Sequence, residues 1–234
     1  MSKTIIVTGA SRGLGKSISK KLSDDKWNVV GIARNKDELY SLKDELNNSF
    51  FPYICDISNS INVKSTFNNI FKNFNNVNFL INNAAIFKMD KFHNFDHSEI
   101  DSIIDINLKG TMYCTLEFVK YMKQKKNIGR IINIASVASI HGIENQAVYC
   151  ASKYGLNGFS ESLNQEIIKD NISITTIFPG GVNTPLWNKK NEYPGDVKKL
   201  LKAEDIVDLI EKILDLENRV ILKNLTIFPS NEWH

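Results

Sequence analysis

The sequence has few cysteines, no long apolar run and no terminal stretch typical of a targeting signal. Its 234 residues contain only Cys55, Cys114 and Cys150, without a C-x-x-C pair. Free thiols in a reducing compartment are therefore expected rather than a disulfide framework. No segment approaches the roughly 18 apolar residues of a membrane span, and "KTIIVTG" follows position 2 without a basic leader. We expect a cytoplasmic protein with no membrane partner.

A dense patch of one charge is also missing. The 29 basic residues are interspersed with 26 acidic ones, for a net charge of +3. Nucleic-acid binding is therefore not expected, because it requires a basic face or stripe. The 42% of hydrophobic and 24% of charged residues are ordinary for a globular protein. The length is that of one domain, which we expect to span 1–234.

Short apolar β-rich runs alternate with amphipathic helical patterns along the chain. The expected strands are TIIVTG, NVVGIA, FFPYICD, VNFLINNAA, GRIINIAS, ISITTIFPG and LTIF. The expected helices span about 13–22, 36–46, 61–74, 98–125, 147–169 and 203–216. The alternation predicts a single-domain α/β fold, a doubly wound parallel sheet with helices on both faces. Ligands of such sheets bind at the carboxyl ends of the strands, and we expect 185–216 to form a loop and helix beside the substrate.

The stretch "TGASRGLG", residues 8–15, follows the first strand and opens the first helix. Glycines at 9, 13 and 15 allow a tight turn and a close backbone approach to a pyrophosphate at the helix N-terminus. The overlapping "GLGKS" resembles the end of a P-loop, but that motif needs glycine where Ala10 stands, and "LINNAA" offers no aspartate for Mg²⁺. A dinucleotide site is favoured over nucleoside-triphosphate hydrolysis.

The charge after the second strand indicates which dinucleotide is bound. A carboxylate there would hold the adenosine ribose 2′-hydroxyl of NAD and repel a 2′-phosphate. Here "GIARN" ends in Ala33 and Arg34, and Arg12 lies within the glycine turn. Two guanidinium groups near the ribose favour NADP.

The stretch "VYCASK" places Tyr149 and Lys153 one helical turn apart. A nearby ammonium and a nicotinamide cation favour the phenolate, which would make the tyrosine usable as an acid or base. Ser136 follows the strand "GRIINIA" and is expected at the same sheet edge, where its hydroxyl can orient a substrate oxygen. Ser139 is the neighbouring alternative.

The motifs "TGASRGLG", "NNAA", "DINLKG", "IASVAS", "YCASK" and "PGGVNT" resemble, in order and spacing, those of the short-chain dehydrogenase/reductase family over residues 4 to about 185. The resemblance implies a Rossmann-like fold and a fourth catalytic residue, Asn107, holding a water that relays protons from Lys153. It also implies that Asp56 bonds the adenine amino group. The residues expected to bind NADP, by the glycine turn, the arginines and this resemblance together, are Gly9, Ser11, Arg12, Gly13, Leu14, Gly15, Arg34, Asp56, Ile57, Asn83, Ala84, Tyr149, Lys153, Pro179, Gly180, Val182 and Thr184.

The expected function is an NADP-dependent oxidoreductase that interconverts a carbonyl and a hydroxyl on a small substrate. The alternatives are an NADP-binding regulator of the same fold without turnover and a 3-oxoacyl-type reductase. The ending "NLTIFPSNEWH" lacks the "VNGG"-like finish common among 3-oxoacyl reductases, which favours a small polar ketone, a hydroxy acid or a sugar-derived substrate. Whether His141, Trp187 or Tyr193 contacts substrate is left open.

Two further expectations concern metals and assembly. His93 and His97 flank Asp96, but the segment leads into a helix with Asp96 or Ser98 as N-cap and offers no further nitrogen or sulfur ligand, so no metal site is expected. The resemblance implies a homodimer or homotetramer built on the two long helices, 98–125 and 147–169.

Overall fold

Seven parallel strands form one sheet in the described part of the computed structural model, which covers residues 3–188 and 191–230. The strands are β1 Thr4–Thr8, β2 Asn28–Ala33, β3 Phe50–Ile54, β4 Val77–Asn82, β5 Gly129–Ile134, β6 Ile172–Pro179 and β7 Asn224–Ile227. Their spatial order is β3-β2-β1-β4-β5-β6-β7, and each neighbouring pair is parallel. The strand order reverses between β1 and β4, and a ligand site is expected at that point.

Helices cover both faces of this sheet. They are α1 Gly13–Asp24, α2 Lys36–Leu46, α3 Ser60–Asn73, α4 His97–Ile104, α5 Thr111–Lys125, α6 Ala147–Ile167 and α7 Ala203–Asp215. Successive side chains of a strand point to opposite faces, and Ile5 of β1 accordingly joins a buried cluster with α1, α2 and α7. Its neighbour Ile6 joins a second cluster with α3, α5 and α6. The predicted doubly wound α/β fold is confirmed.

The helix expected over 98–125 departs from the prediction at its centre. The chain forms α4, then a π-helical turn at Asp105–Gly110, then α5. A π turn accommodates an extra residue and is common at functional positions, and this one carries Asn107. The start of α4 agrees with the prediction, because Asp96, one of the two expected N-caps, caps the helix and forms a capping box with Glu99.

Within residues 3–188 and 191–230, no helix combines the length and the apolar character needed to cross a bilayer. The same residues contain no group of three or more His, Cys, Asp and Glu side chains arranged to hold a metal ion. Of the two histidines considered from the sequence, His93 lies in a short 3₁₀ turn and His97 begins α4.

A loop of residues 183–200 leaves the sheet after β6 and returns beside its own starting point. The Asn183 N–H donates to the Leu201 carbonyl over 2.8 Å, and the Leu201 N–H donates to the Gly181 carbonyl over 2.9 Å. These bonds tie the two ends of the loop together through a bridge between Val182 and Leu201. Residues 189 and 190 of this loop lie outside the described residues.

Candidate active site

A cavity of about 840 Å³ opens along the carboxyl edge of the sheet. Its lining includes one residue or more after each of six strands, namely Gly9, Arg34, Asp56, Asn83, Ser136 and Gly180. This volume lies within the range usual for a small-molecule or cofactor pocket. The cavity therefore occupies the position that the strand pattern predicted for a ligand.

The cavity brings together most of the residues predicted from the sequence. Those that line it are Gly9, Ser11, Arg12, Gly13, Leu14, Arg34, Asp56, Ile57, Asn83, Ala84, Ser136, Tyr149, Lys153, Pro179, Gly180, Val182 and Thr184. Gly15 and Asn107 do not line it. From the expected substrate segment 185–216, only loop residues contribute among those described, while α7 packs its apolar face into the core.

The glycine turn has the conformation that a phosphate site requires. Gly9 and Gly13 have φ angles of +66° and +53°, in the left-handed region. A Cβ on Gly15 would lie 2.1 Å from the Gly9 carbonyl oxygen, so Gly15 is needed for the turn itself. Arg12 precedes α1 without capping it by its side chain, and the first turn of α1 has no acidic residue. The N–H groups at this helix end therefore suit an anion such as a pyrophosphate.

Asn83, directly after β4, stabilises the glycine turn by hydrogen bonds. Its side-chain amide donates to the carbonyls of Thr8 and Gly9 over 3.0 and 3.3 Å. In return, the Thr8 hydroxyl accepts hydrogen bonds from the N–H groups of Asn83 and Ala84. The turn after β1 and the segment after β4 are thus held as one unit at the point where the strand order reverses.

The end of the cavity next to β2 and β3 carries two cations and two carboxylates. Arg12, Arg34, Asp56 and Glu38 all line this end. The Asp56 carboxylate lies 3.9 Å from the Arg34 guanidinium. The Ser11 hydroxyl donates to the Glu38 carboxylate over 2.8 Å. Glu38 is not among the residues predicted from the sequence, although its position in the first turn of α2, shortly after β2, is a usable signal. The charge at this end is therefore more balanced than the two arginines alone suggest.

At the opposite end of the cavity, Ser136, Tyr149 and Lys153 converge. Ser136 is hydrogen-bonded to the Tyr149 phenol, and the Lys153 ammonium lies 5.7 Å from the centre of the tyrosine ring. The Lys153 ammonium donates to the Ile134 carbonyl at the end of β5 over 3.0 Å. Ser139, the alternative serine, is fully buried and does not line the cavity. The segment after β5 and helix α6 thus place a hydroxyl, a phenol and an ammonium group at the same end of the cavity.

Burial shifts the pKa of Tyr149 and that of Lys153 in the directions that favour their neutral forms. Desolvation raises the pKa of Tyr149 to about 12, although its hydrogen bond with Ser136 opposes the rise. Desolvation also lowers the pKa of Lys153 to about 8. Burial is therefore the largest influence on the phenol in the protein without a bound dinucleotide. That the Lys153 ammonium and a nicotinamide cation together favour the phenolate stays a prediction.

Asn107 lies behind the cavity rather than on its surface. Its side-chain oxygen accepts from the Ile86 N–H over 2.8 Å, and its amide donates to the Ile86 carbonyl over 2.9 Å and to Ser152 over 3.2 Å. Ser152 in turn donates to the Tyr149 carbonyl over 2.7 Å. The side chain thus joins the segment after β4 to α6, and its hydrogen bonds among the described residues go to Ile86 and Ser152.

Aromatic side chains surround the cavity beside Tyr149. The Phe87 ring packs edge-on against Tyr149 and against Trp187, with ring centres 4.9 and 5.2 Å apart. Trp187 packs in the same way against Tyr193 at 5.1 Å. Phe87, Trp187 and Tyr193 all line the cavity, whereas His141 is exposed and does not.

Comparison with known proteins agrees with this geometry. The family model described as short chain dehydrogenase matches residues 3–195. An uncharacterized oxidoreductase of Staphylococcus epidermidis is 30% identical over 227 residues, which are 97% of each chain. The 3-oxoacyl-acyl-carrier-protein reductase FabG of Rickettsia prowazekii is 34% identical over 190 residues, 81% of this chain and 77% of that protein.

A solved structure extends the likeness to three dimensions. The closed form of serine dehydrogenase complexed with NADP+ superposes with a TM-score of 0.90 at 26% identity, covering 99% of this chain and 96% of that one. The matched family model covers the strands from β1 to β6 and nearly all residues that line the cavity. From its sheet, its cavity and these relatives, the chain is an oxidoreductase that belongs to the short-chain dehydrogenase/reductase family.

Proposed function

We propose that this protein is an NADP-dependent oxidoreductase that interconverts a carbonyl and a hydroxyl on a small substrate, with Tyr149 as the acid and base. The observation that carries the proposal is the placement of Ser136, Tyr149 and Lys153 in the cavity that also contains the glycine turn. Bound NADPH would supply a hydride, while the side chains supply the proton and hold the substrate oxygen.

In the reducing direction, Tyr149 donates the proton that the developing alkoxide needs. Its pKa of about 12 keeps the phenol protonated at neutral pH, so the proton is in place before reaction. Ser136, bonded to the same phenol, orients the substrate oxygen and stabilises its negative charge. Lys153, buried beside the ring with a pKa of about 8, is able to exchange a proton near neutral pH and restore the phenol.

We assign Asn107 to positioning rather than to direct proton transfer. Both of its polar side-chain atoms bond the main chain of Ile86, and it reaches Tyr149 only through Ser152. Its contribution is to hold the wall after β4 at a fixed distance from α6. The water relay expected from the family resemblance would then depend on the main chain of the π turn, not on this amide.

The experiment that tests the reaction is NADPH consumption across a panel of carbonyl compounds. Tyr149→Phe is expected to lower turnover by about 100-fold or more, the usual contribution of a positioned acid, while NADPH binding measured by calorimetry is retained. Tyr40→Phe is the matched control, since Tyr40 is 46% exposed and does not line the cavity. Equal turnover by the parent and Tyr149→Phe would refute the mechanism.

A second candidate function is reduction of a 3-oxoacyl thioester. The relative named FabG, a 3-oxoacyl-acyl-carrier-protein reductase, is 34% identical over 190 residues. A 3-oxoacyl thioester belongs in the panel for this reason, and a preference for it of tenfold or more over small ketones would select this candidate. Absence of turnover with every compound, together with tight NADPH binding, would instead indicate a dinucleotide-binding regulator.

The preference for NADP rests on Arg12 and Arg34, which line the cavity at the end next to β2. A 2′-phosphate there would lie close to guanidinium groups, which bind phosphate well. The similar serine dehydrogenase structure is itself a complex with NADP+. Titration calorimetry with NADP and NAD tests the preference, and equal or weaker affinity for NADP would overturn it.

We also propose that the chain forms a homodimer or homotetramer through α5 and α6. The proposal follows from the family resemblance, and the exposed Leu116 on α5 and Tyr154 on α6, at 49% and 46%, are accessible to a second copy of the chain. Light scattering after size-exclusion chromatography measures the mass directly. A single species of the mass of one chain, 26.6 kDa, would refute self-association.

A further inference from the structure

The wall of the cavity beyond Tyr149 is built from aromatic edges. Phe87, Trp187 and Tyr193 form a continuous series of edge-on contacts that begins at the Tyr149 ring, with ring centres 4.9 to 5.2 Å apart. Leu186 and Ile143 pack against the same group. A substrate whose oxygen meets Ser136 and Tyr149 therefore presents the rest of its structure to flat, apolar surfaces.

Asn191 holds this wall together. The side chain is buried, its oxygen accepts from the Met89 N–H over 3.0 Å, and its amide donates to the Phe87 carbonyl over 2.9 Å. These bonds fasten the middle of the 183–200 loop to the segment that carries Phe87. The ends of the same loop are joined at Val182 and Leu201, so the loop is bonded to the rest of the protein at both ends and at its middle.

Charged side chains that line the cavity lie mostly at the other end. Among the described residues they are Arg12, Arg34, Glu38 and Asp56 near β2 and β3, with Lys153 beside Tyr149. The Lys153 ammonium already donates to the Ile134 carbonyl. A substrate carboxylate placed against Phe87 and Trp187 would lose its hydration and meet aromatic carbon, which is unfavourable.

We propose that the substrate is an uncharged carbonyl compound with an aryl group beside the reacting carbon, and that Phe87, Trp187 and Tyr193 bind this group. The proposal rests on the function proposed above. One carbonyl consumes one NADPH and one proton, with the hydride forming the new C–H bond and Tyr149 supplying the proton of the new O–H bond. Asn191 is a positioning residue that fixes the aromatic wall. The inference differs from the polar substrate expected from the sequence ending.

Three compounds that differ in one substituent at a time test the substrate class with NADPH and the 234-residue protein. The compounds are 2,3-butanedione, 1-phenyl-1,2-propanedione and phenylglyoxylate, so that phenyl replaces methyl in the second and a carboxylate replaces acetyl in the third. The phenyl group is expected to raise kcat/KM by about tenfold or more, as burial of an aromatic ring allows. Phenylglyoxylate is expected to fall below 1-phenyl-1,2-propanedione by at least about tenfold.

Two variants assign these effects to the wall. Trp187→Ala is expected to abolish most of the preference for phenyl over methyl, whereas Phe92→Ala is the control, since Phe92 is 63% exposed and does not line the cavity. Asn191→Ala is expected to raise KM for the phenyl compound by a larger factor than KM for 2,3-butanedione. A general loss of folded protein would instead lower kcat for both compounds equally and leave both KM values unchanged.

The possible failures are distinguishable. Turnover of phenylglyoxylate or 2,3-butanedione equal to or above that of 1-phenyl-1,2-propanedione would overturn the substrate class and leave the oxidoreductase function intact. A phenyl preference that survives in Trp187→Ala would likewise overturn the role of the wall. Absence of turnover with these compounds, with 3-oxoacyl thioesters and with the wider carbonyl panel would overturn the proposed function and this inference together.

Discussion

Arg130 makes a connection that is expected to contribute strongly to stability. It lies in β5 with only 6% of its surface exposed, and its guanidinium reaches the end of α7 and the two residues that follow this helix. It donates to the carbonyls of Ile213, Leu216 and Glu217 over 2.9, 2.9 and 2.7 Å. Carbonyls at a helix end lack partners within the helix and carry partial negative charge, so a buried cation there is favourable.

The size of the effect follows from what Arg130→Met removes. The Ile213 carbonyl is buried, and leaving such an acceptor without a partner costs about 1–3 kcal/mol. The other two bonds are part-buried, and water can replace much of what they lose. Burial lowers the pKa of Arg130, a sign that the guanidinium is partly desolvated, and methionine avoids that cost. We expect a net loss of about 2–3 kcal/mol in the free energy of unfolding.

Thermal unfolding at fixed protein concentration measures this loss. For a chain of this size, 1 kcal/mol corresponds to about 2–4 °C, so Tm should fall by about 4–12 °C. Arg219→Met is the control, because Arg219 is 77% exposed on its side chain and pairs only with the exposed Glu217 carboxylate among the partners described, and such surface pairs contribute little. If Arg130→Met unfolded at the temperature of the Arg219→Met variant, the capping argument would be wrong.

Two other variants probe the ends of the cavity. The folded-state pKa of Lys153, about 8, lies below its ordinary value of 10.5, so the unfolded chain binds more protons between these values and wild-type stability rises there with pH. The free energy of unfolding of the wild-type protein, relative to that of Lys153→Met, should therefore rise by on the order of 2 kcal/mol between pH 7 and pH 10. Urea unfolding without dinucleotide measures this difference. A difference that does not change with pH would contradict the role of burial. Glu38→Gln should strengthen NADP binding relative to NAD by about fivefold, since one screened negative charge near the 2′-phosphate is removed. Asp37→Asn, on the exposed side of the same helical turn, is the control for calorimetric titration, and an unchanged affinity ratio in Glu38→Gln would refute the role of Glu38.

Local patterns in the sequence were sufficient for the fold and for much of the cavity. The run "TGASRGLG" and the spacing of Tyr149 and Lys153 depend on neighbours within one turn or helix, and strand ends of a parallel sheet meet at one edge. Placing Ser136 beside Tyr149 required only that both follow β5 at that edge. The structure brings these residues together as expected.

Features that depend on distant contacts were not accessible in the same way. Asn191 acts on a backbone amide 102 positions away, and the π turn at Asn107 exists beside a segment 21 positions earlier. The raised pKa of Tyr149 follows mainly from burial of the phenol, which no local sequence pattern indicates. Charge sign could be counted from the sequence, but the free energy of desolvation could not.

The paired ends of the 183–200 loop have a consequence for how such enzymes diversify. Since main-chain bonds between Gly181, Asn183 and Leu201 close the two ends of the loop, the side chains between them, Asn191 excepted, are expected to vary without altering the register of β6. Natural variation or loop grafting could then change the substrate specificity while Ser136, Tyr149 and Lys153 keep their positions.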